Sequence, residues 1–294
     1  MRYAFYTGCV AKGGAPELYT STMSVAMKLG LELEELNQAA CTGAGVLSER
    51  NPLLADTLNA RTLAMAEKLG LPLMTICSTC QGVISQANAR MKKDPAYLER
   101  INTHLAPEGL HYSGNTEVKH LLWIMMEDIG VERVKELVSN PLGDLSAAPF
   151  YGCYIVRPTS VLGYDEHPGR VHYLEDLIEA LGAHSVEYAG YNKCCGFPIL
   201  TMNRDASLLM TGTHVYDAQS EGADCMVTPC PLCHLNLDGS QVDAAGAVNE
   251  KLNMPVLHLP QLVGLAFGIH PSMLGLQKNI VNTERLVEKA TAAK

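Results

Sequence analysis

Two hydrophobic periods alternate along the chain, and the same alternation occurs twice. Short β-like runs dominated by apolar side chains are separated by longer segments whose apolar residues recur at the spacing of an amphipathic helix. In the first part of the chain these segments are RYAFYTGC, LYTSTMSVAMKLG, LELEEL, LLADTLNARTLAMAEKLG and PLMTIC. In the second part they are PFYGC, VHYLEDLIEALG, HSVEYA, LLMTGTHVYDAQSEG and CMVTPC. The order βαβαβ predicts an α/β fold of two tandem repeated units, each built on a small parallel sheet.

A repeat in the cysteine positions supports this division. Two CxxC pairs, CSTC at Cys77 and Cys80 and CPLC at Cys230 and Cys233, lie 153 positions apart. The same offset carries the triplet Cys41, Thr42, Gly43 onto the triplet Cys194, Cys195, Gly196. An offset held without a gap over this length indicates an internal duplication.

The duplication also gives the expected domain boundaries. FYTGCV around Cys9 is similar to FYGCYI around Cys153 at an offset of 144, so the second copy carries nine extra residues. We expect them in the Pro/Gly-rich stretch VRPTSVLGYDEHPGR. A V-x-H-L motif ends each copy, at His120 and His258. We predict a first repeat at 1–140 with a degenerate Cys-Thr-Gly motif and a second at 150–294 with a complete Cys-Cys-Gly motif.

The composition excludes several classes of function. The 294 residues include 22 Lys and Arg and 31 Asp and Glu, and the chain has no run of basic residues. This argues against binding to nucleic acid or to an anionic membrane surface. No segment reaches the roughly 18 apolar residues of a spanning helix, and the N-terminal apolar run is too short for a signal peptide. No Walker motif and no GxGxxG after a strand is present, so flavin, nicotinamide and ATP sites are expected on other chains. We expect a cytoplasmic protein.

The predicted strand ends place the cysteines together. In parallel sheets ligands gather at the carboxyl ends of the strands, so each repeat is expected to hold its cysteine elements on one rim. Zinc, iron–sulfur clusters and redox dithiols all use such thiols. The second repeat offers five, one more than tetrahedral zinc takes, which favours an iron–sulfur cluster and leaves zinc and dithiols as alternatives.

The spacing C-x(31)-C-T-G-x(33)-CxxC followed by C-x(40)-C-C-G-x(33)-CxxC resembles the duplicated CCG domain of the B subunit of heterodisulfide reductase. The resemblance implies a noncubane 4Fe-4S cluster in the second repeat. Its five ligands would be Cys153, Cys194, Cys195, Cys230 and Cys233. The first repeat departs from the family pattern at Thr42, so an identical cluster is not expected there. Its four remaining cysteines suit a cubane 4Fe-4S or smaller cluster, held by Cys9, Cys41, Cys77 and Cys80.

The resemblance implies the catalytic iron–sulfur subunit of a heterodisulfide reductase-like complex, as also occurs in sulfur oxidisers. Its substrate would be a small thiol or disulfide, or sulfur bound to a carrier protein. The implied partners are the ferredoxin-like C subunit and the flavin-containing A subunit of the same complex. The alternative is an electron-transfer subunit of the kind found in glycolate or lactate oxidation complexes, which share CCG-type motifs.

Four other features have an ordinary structural interpretation beside the functional one. His120 and His258 are expected to be structural residues near the clusters, with proton donation to a leaving thiolate as the alternative. Cys225 has no counterpart in the first repeat and is interpreted as a buried core thiol. The apolar segment from Gln261 to Leu276 is expected in the core, with a partner contact as the alternative.

Overall fold

The computed structural model describes residues 1–291 and contains two four-stranded sheets in which every strand pair is parallel. The first sheet has the order β2-β1-β3-β4 and the second has the order β6-β5-β7-β8. The strands are β1 Arg2–Tyr6, β2 Glu32–Glu35, β3 Leu73–Thr75, β4 Val118–His120, β5 Ser146–Pro149, β6 His184–Ser185, β7 Cys225–Thr228 and β8 Val256–His258. We call the part that contains β1–β4 the first half and the part that contains β5–β8 the second half. The predicted α/β fold of two tandem parallel units is confirmed.

Each sheet has one strand more than the predicted βαβαβ order. The additional strands, β4 and β8, are formed by the V-x-H-L motifs and pair with β3 and β7. They are three residues long, too short to show a hydrophobic period. The strand predicted at PFYGC lies earlier, at Ser146–Pro149, and the following residues form the turn that carries Cys153.

The helices connect successive strands as crossovers, which parallel pairing requires. Those of the first half are α1 Gly8–Gly13, α2 Pro16–Leu29, α3 Val46–Arg50, α4 Pro52–Leu69, α5 Ser78–Lys93, α6 Pro95–Leu105, α7 Leu121–Trp123 and α8 Val131–Glu136, with a π-helical turn at Ile124–Gly130. Those of the second half are α9 Tyr173–Ala180, α10 Arg204–Ser220, α11 Pro231–Gly239, α12 Gln241–Val248, α13 Leu259–Ala266 and α14 Glu284–Thr291.

The halves share their hydrophobic core. One cluster of buried side chains joins Phe5 and Trp123 of the first half to Leu177 and Leu262 of the second. Helix α13 packs against α2 across this boundary, and every residue of α13 is buried. The greater part of the apolar C-terminal segment is therefore core, as the composition of such a run predicted.

The insertion in the second half adds a polar link between the halves. Its Arg170 is 5% exposed and donates through Nε and Nη2 to the Glu127 carboxylate of the first half, at 2.6 and 2.9 Å. The same guanidinium lies 3.8 Å from the centre of the Trp123 ring. A bidentate, ring-stacked arginine at a buried position fixes this loop against the first half.

Candidate metal centre

All nine cysteines of the two predicted sites follow the carboxyl ends of parallel strands. The first site comprises Cys9 in α1 after β1, Cys41 in the loop after β2, and Cys77 and Cys80 at the start of α5 after β3. The second site comprises Cys153 after β5, Cys194 and Cys195 in the loop after β6, and Cys230 and Cys233 at the start of α11 after β7. Because the strands within each sheet are parallel, each half gathers its thiols on one rim.

The second site is a continuous set of sulfur contacts. The thiols lie close enough to shift one another's pKa, Cys195 with Cys194 and Cys233, Cys153 with Cys194, and Cys230 with Cys233. Cys195, Cys230 and Cys233 are buried, whereas Cys153 and Cys194 are half-buried. An added Cβ at Gly152 would lie 2.8 Å from Cys233 Sγ. A side chain at this turn would clash with the Cys233 sulfur, so the position requires glycine.

Each of the adjacent thiols of the second site accepts a hydrogen bond from the backbone. Gly196 N donates to Cys194 Sγ and Phe197 N donates to Cys195 Sγ, both at 3.5 Å. Gly196 has a φ of +91°, which glycine adopts at little cost. Asn236 Nδ2 holds the loop by donating to the Cys195 carbonyl at 2.7 Å. Backbone donors aimed at sulfur stabilise its anionic form.

The first site is smaller and more exposed. Cys9 Sγ lies 3.6 Å from Cys41 Sγ, and both residues are exposed. Cys77 caps α5 by accepting from Cys80 N at 3.4 Å. Thr42 occupies the position equivalent to Cys195. The hydrogen bond from Cys9 is the main cause that lowers the pKa of Cys41, and the Gly43 backbone and the Thr42 hydroxyl add to it. The first site therefore has four sulfur donors and one hydroxyl.

The crowded sulfurs cannot all lose their protons without a compensating positive charge. The Cys153–Cys194 hydrogen bond raises the pKa of Cys153 and lowers that of Cys194 to about 2, so one proton is held between them. The Cys9–Cys41 pair behaves alike, with the pKa of Cys41 lowered to about 6. Hydrogen bonds with its neighbouring thiols also raise the pKa of Cys233 well above its usual range. Several iron ions would supply the missing charge, and soft thiolates are the ligands that iron–sulfur clusters use. The donor set fits such a group.

The two sites meet at their CxxC segments. The thiols of Cys77 and Cys230 lie close enough to shift each other's pKa, so the two sets of thiols adjoin across the halves. Thr79 Oγ1 lies 3.4 Å from Cys230 Sγ. Ser78 donates through both its backbone N and its Oγ to the Pro229 carbonyl, at 3.2 Å each. Sequence reasoning did not identify Ser78 and Thr79 as site residues, because they occupy the spacer positions of the CxxC motif.

A glycine in the first half permits this approach. A Cβ added at Gly82 of α5 would clash with the carbonyl oxygen and side chain of Tyr154, the residue that follows Cys153. The bare backbone at Gly82 therefore lets the second site pack directly on α5.

The repeated histidines have unequal surroundings. His120 Nε2 lies 3.0 Å from the Pro229 carbonyl, and its Nδ1 accepts from Leu122 N at 3.0 Å. In the second half, Pro260 stands where Leu122 would be and has no N–H, and His258 Nδ1 has no partner within the described residues. Burial lowers the pKa of His120 to about 4 and that of His258 to about 3. Both rings are thus neutral near pH 7, which favours the structural interpretation over proton donation.

A second group of polar side chains lies buried beside the second site. Glu17 Oε1 lies 3.3 Å from His258 Nε2, and the His258 and His234 rings stack at 3.7 Å with an interplanar angle of 19°. A metal ion binds in the plane of an imidazole ring. Two nearly parallel stacked rings do not aim their nitrogen lone pairs at one point, so this group is arranged as a packing contact between α2, α11 and β8.

Cys225 lies apart from both sites. It begins β7, is fully buried, and has a pKa raised to about 12 by that burial, as the prediction of a core thiol implies. Among the cavities of the described surface are five of 280 to 840 Å³ whose walls contain none of the nine site cysteines. Two of them reach a residue that directly follows a CxxC motif, Gln81 in a cavity of 420 Å³ and His234 in one of 280 Å³.

Comparison with known proteins agrees with the duplicated geometry. The CCG cysteine-rich domain matches the chain twice, over residues 3–85 and 147–238. The chain is 38% identical over 284 residues to the 8-methylmenaquinol:fumarate reductase membrane anchor subunit of Wolinella succinogenes, covering 97% of this chain and 98% of that one. It is 32% identical over 297 residues to the B subunit of the ferredoxin:CoB-CoM heterodisulfide reductase of Methanosarcina mazei, covering 98% and 96%.

A solved structure shares the fold. The crystal structure of a hypothetical protein from Helicobacter pylori superposes with a TM-score of 0.75 at 18% identity, covering 96% of this chain. The chain spans about half of that protein, 52% of its length. In the part of the chain that the structure describes, no helix is both long and apolar enough to span a membrane.

Proposed function

This chain belongs to the family of duplicated CCG cysteine-rich domain proteins that includes the B subunit of heterodisulfide reductase, and from that premise we propose that its second half holds a noncubane 4Fe-4S cluster. The observation that carries the proposal is the convergence of five thiols at the second site, three of them buried. Family membership makes the chain an iron–sulfur redox subunit of an oxidoreductase. When bound, such clusters supply one-electron oxidation and reduction.

We propose a cubane 4Fe-4S or smaller cluster at the first site. Cys9, Cys41, Cys77 and Cys80 supply four thiolates, the usual number for a cubane. Thr42 offers only a hydroxyl, which helps to lower the pKa of the neighbouring Cys41. A hydroxyl is a much poorer ligand for iron than a thiolate and does not replace the fifth donor.

The first candidate function is redox chemistry on sulfur. Cleavage of a disulfide consumes two electrons and two protons and yields two thiols, and the reverse reaction releases them. The electrons would come from, or go to, carriers on the ferredoxin-like and flavin-containing partner subunits. The half-buried Cys153 and Cys194 form the accessible edge of the second site, where a small thiol, a disulfide or carrier-bound sulfur could approach. The relatives among the heterodisulfide reductases support this candidate.

The second candidate is electron transfer without sulfur chemistry on this chain. One observation favours it: the Wolinella relative is a subunit of an 8-methylmenaquinol:fumarate reductase. A relay needs only close contact between its two sites, which Cys77 and Cys230 provide. In this case the chain would carry electrons between partner subunits of a cytoplasmic or membrane-attached complex.

Anaerobic purification followed by iron and acid-labile sulfide analysis tests the common proposal. We expect iron and sulfide at both sites, and stoichiometric zinc without sulfide would contradict it. Addition of 2-mercaptoethanesulfonate to the oxidised protein then separates the two candidates. A change in the electron paramagnetic resonance (EPR) signal of the second cluster supports thiol binding, whereas an unchanged signal in a protein that still exchanges electrons with its partner subunits supports the relay.

A further inference from the structure

We propose that Thr79 of the first half raises the reduction potential of the cluster in the second half by donating a hydrogen bond to Cys230 Sγ. The inference rests on the proposed function, because it requires a cluster at the second site. It assigns a positioning role to a residue that ligates nothing itself and lies in the other repeat.

The contact between the two side chains is direct and buried. Thr79 Oγ1 lies 3.4 Å from Cys230 Sγ, and the two residues are 7% and 2% exposed. Within residues 1–291 the Thr79 hydroxyl has no other hydrogen-bond partner. A metal-bound thiolate carries no proton, so the hydroxyl must be the donor once the cluster is present.

Three hydrogen bonds to one carbonyl group hold this contact in place. Pro229, which precedes Cys230, has its carbonyl oxygen 3.2 Å from Ser78 N, 3.2 Å from Ser78 Oγ and 3.0 Å from His120 Nε2. All three donors belong to the first half. They clamp the start of the second CxxC segment against α5, which keeps the Thr79 hydroxyl facing the sulfur.

A hydrogen bond of this kind changes the redox equilibrium of the ligated group. Reduction adds negative charge that spreads onto the ligating sulfurs, so a donor at the sulfur stabilises the reduced form more than the oxidised form. The effect is stronger at a buried site than in water, because the local dielectric is low. Thr79 therefore raises the reduction potential of the second cluster.

The second half has no residue equivalent to Thr79 that could donate a hydrogen bond to the first cluster. The residue 153 positions after Thr79 is Leu232, whose side chain has no hydroxyl to offer Cys77. The tuning is one-directional: it raises the second cluster relative to the first. Electrons that a partner subunit delivers to the exposed first site would then favour the second.

A redox titration with dithionite, followed by EPR, tests the inference on the intact anaerobic protein. In Thr79→Val, which removes the hydroxyl at nearly constant shape, we expect the midpoint potential of the second cluster to fall while that of the first is unchanged. Thr79→Ser retains the hydroxyl and should keep the potential close to that of the wild type. Thr79→Ala also removes the hydroxyl and should lower the potential of the second cluster as Thr79→Val does.

The outcomes separate this inference from the proposed function. If the wild type holds no iron and sulfide at the second site, the proposed function fails, and the inference fails with it. If the cluster is present and Thr79→Val leaves its potential unchanged, or shifts both clusters equally, the inference alone is wrong. If Thr79→Val fails to assemble, Thr79→Ala decides in its place, and an unchanged potential of the second cluster in that variant would overturn the inference.

Discussion

The two halves have the same topology and put their thiols on equivalent rims, yet they differ at the positions that decide chemistry. Thr42 in the first half corresponds to Cys195 in the second, and Thr79 corresponds to Leu232. The outer thiols of the first site are exposed, whereas those of the second are half-buried. The duplicated fold thus sets where a redox group can bind. The few residues that differ between equivalent positions set the ligands and hydrogen bonds of each site.

The structural supports of the two halves are also unequal. His120 uses both ring nitrogens and reaches the second half, whereas His258 loses one partner because Pro260 has no N–H. The second half alone has the insertion that carries Arg170 into the first half. Contacts therefore run from each half into the other.

The largest expected effect is that of removing the fifth thiol. Cys195→Ser should abolish turnover and the signal of the second cluster while the signal of the first remains, because serine oxygen is a poor ligand at a multi-iron site. Iron content and EPR of the anaerobic protein measure this. Cys225→Ser is the control and should keep both signals, since Cys225 lies apart from the two sites. Near-full activity of Cys195→Ser would place the reaction elsewhere.

A smaller effect is expected from breaking the link that only the insertion supplies. Arg170→Gln removes the bidentate partner of the buried Glu127 carboxylate. The nearest remaining cation is Lys119, whose Nζ lies 3.4 Å from Glu127 Oε2. Loss of one member of a buried pair costs about 3 kcal/mol in the free energy of unfolding. Chemical denaturation followed by Trp123 fluorescence measures the loss.

The exposed Arg204–Asp243 pair provides the matched control for that variant. Its side chains are 59% and 56% exposed, so Arg204→Gln should cost less than about 1 kcal/mol. Equal losses in the two arginine variants would show that the insertion does not secure the halves to each other.

Adding a side-chain atom between α5 and the second site should lower the free energy of unfolding by about 1 to 3 kcal/mol. Gly82→Ala adds a methyl group that clashes with the backbone of Tyr154, so we expect lower stability and a broadened EPR signal of the second cluster. Gly246→Ala in α12, where an added Cβ meets nothing within 4 Å, should be neutral or stabilising. Thermal unfolding of both variants compares them, and a neutral Gly82→Ala would refute the close packing.

The smallest effect is expected from making the first site resemble the second. Thr42→Cys restores a fifth thiol to the first half. Thr42 is 3% exposed and its hydroxyl acts on the Cys41 thiol, so the new sulfur would lie beside the site. We expect a changed spectrum of the first cluster with little change in turnover. EPR and steady-state activity measured together test this, and a gain in turnover would mean that both halves can perform the reaction.

Much of the fold and of the site follows from the sequence. The cysteine offset of 153 and the alternating periods were enough to predict two parallel units and the nine thiols on their rims. The short strands β4 and β8 were missed, because three buried residues carry no period. The contacts of Thr79 with Cys230 and of Gly82 with Tyr154 were also out of reach, since they depend on how one half packs on the other. The assignment of cluster ligands and the domain boundaries at 140 and 150 remain predictions.

Mössbauer spectroscopy of the anaerobic wild-type protein, grown with ⁵⁷Fe, tests the inequality of the two sites most directly. We predict two distinguishable sets of iron signals, one from a noncubane cluster with five thiolate ligands and one from a cubane or smaller cluster. Cys195→Ser should remove only the signals of the noncubane cluster in the second half. Two identical noncubane sets in the wild type, or iron at one site alone, would contradict the account.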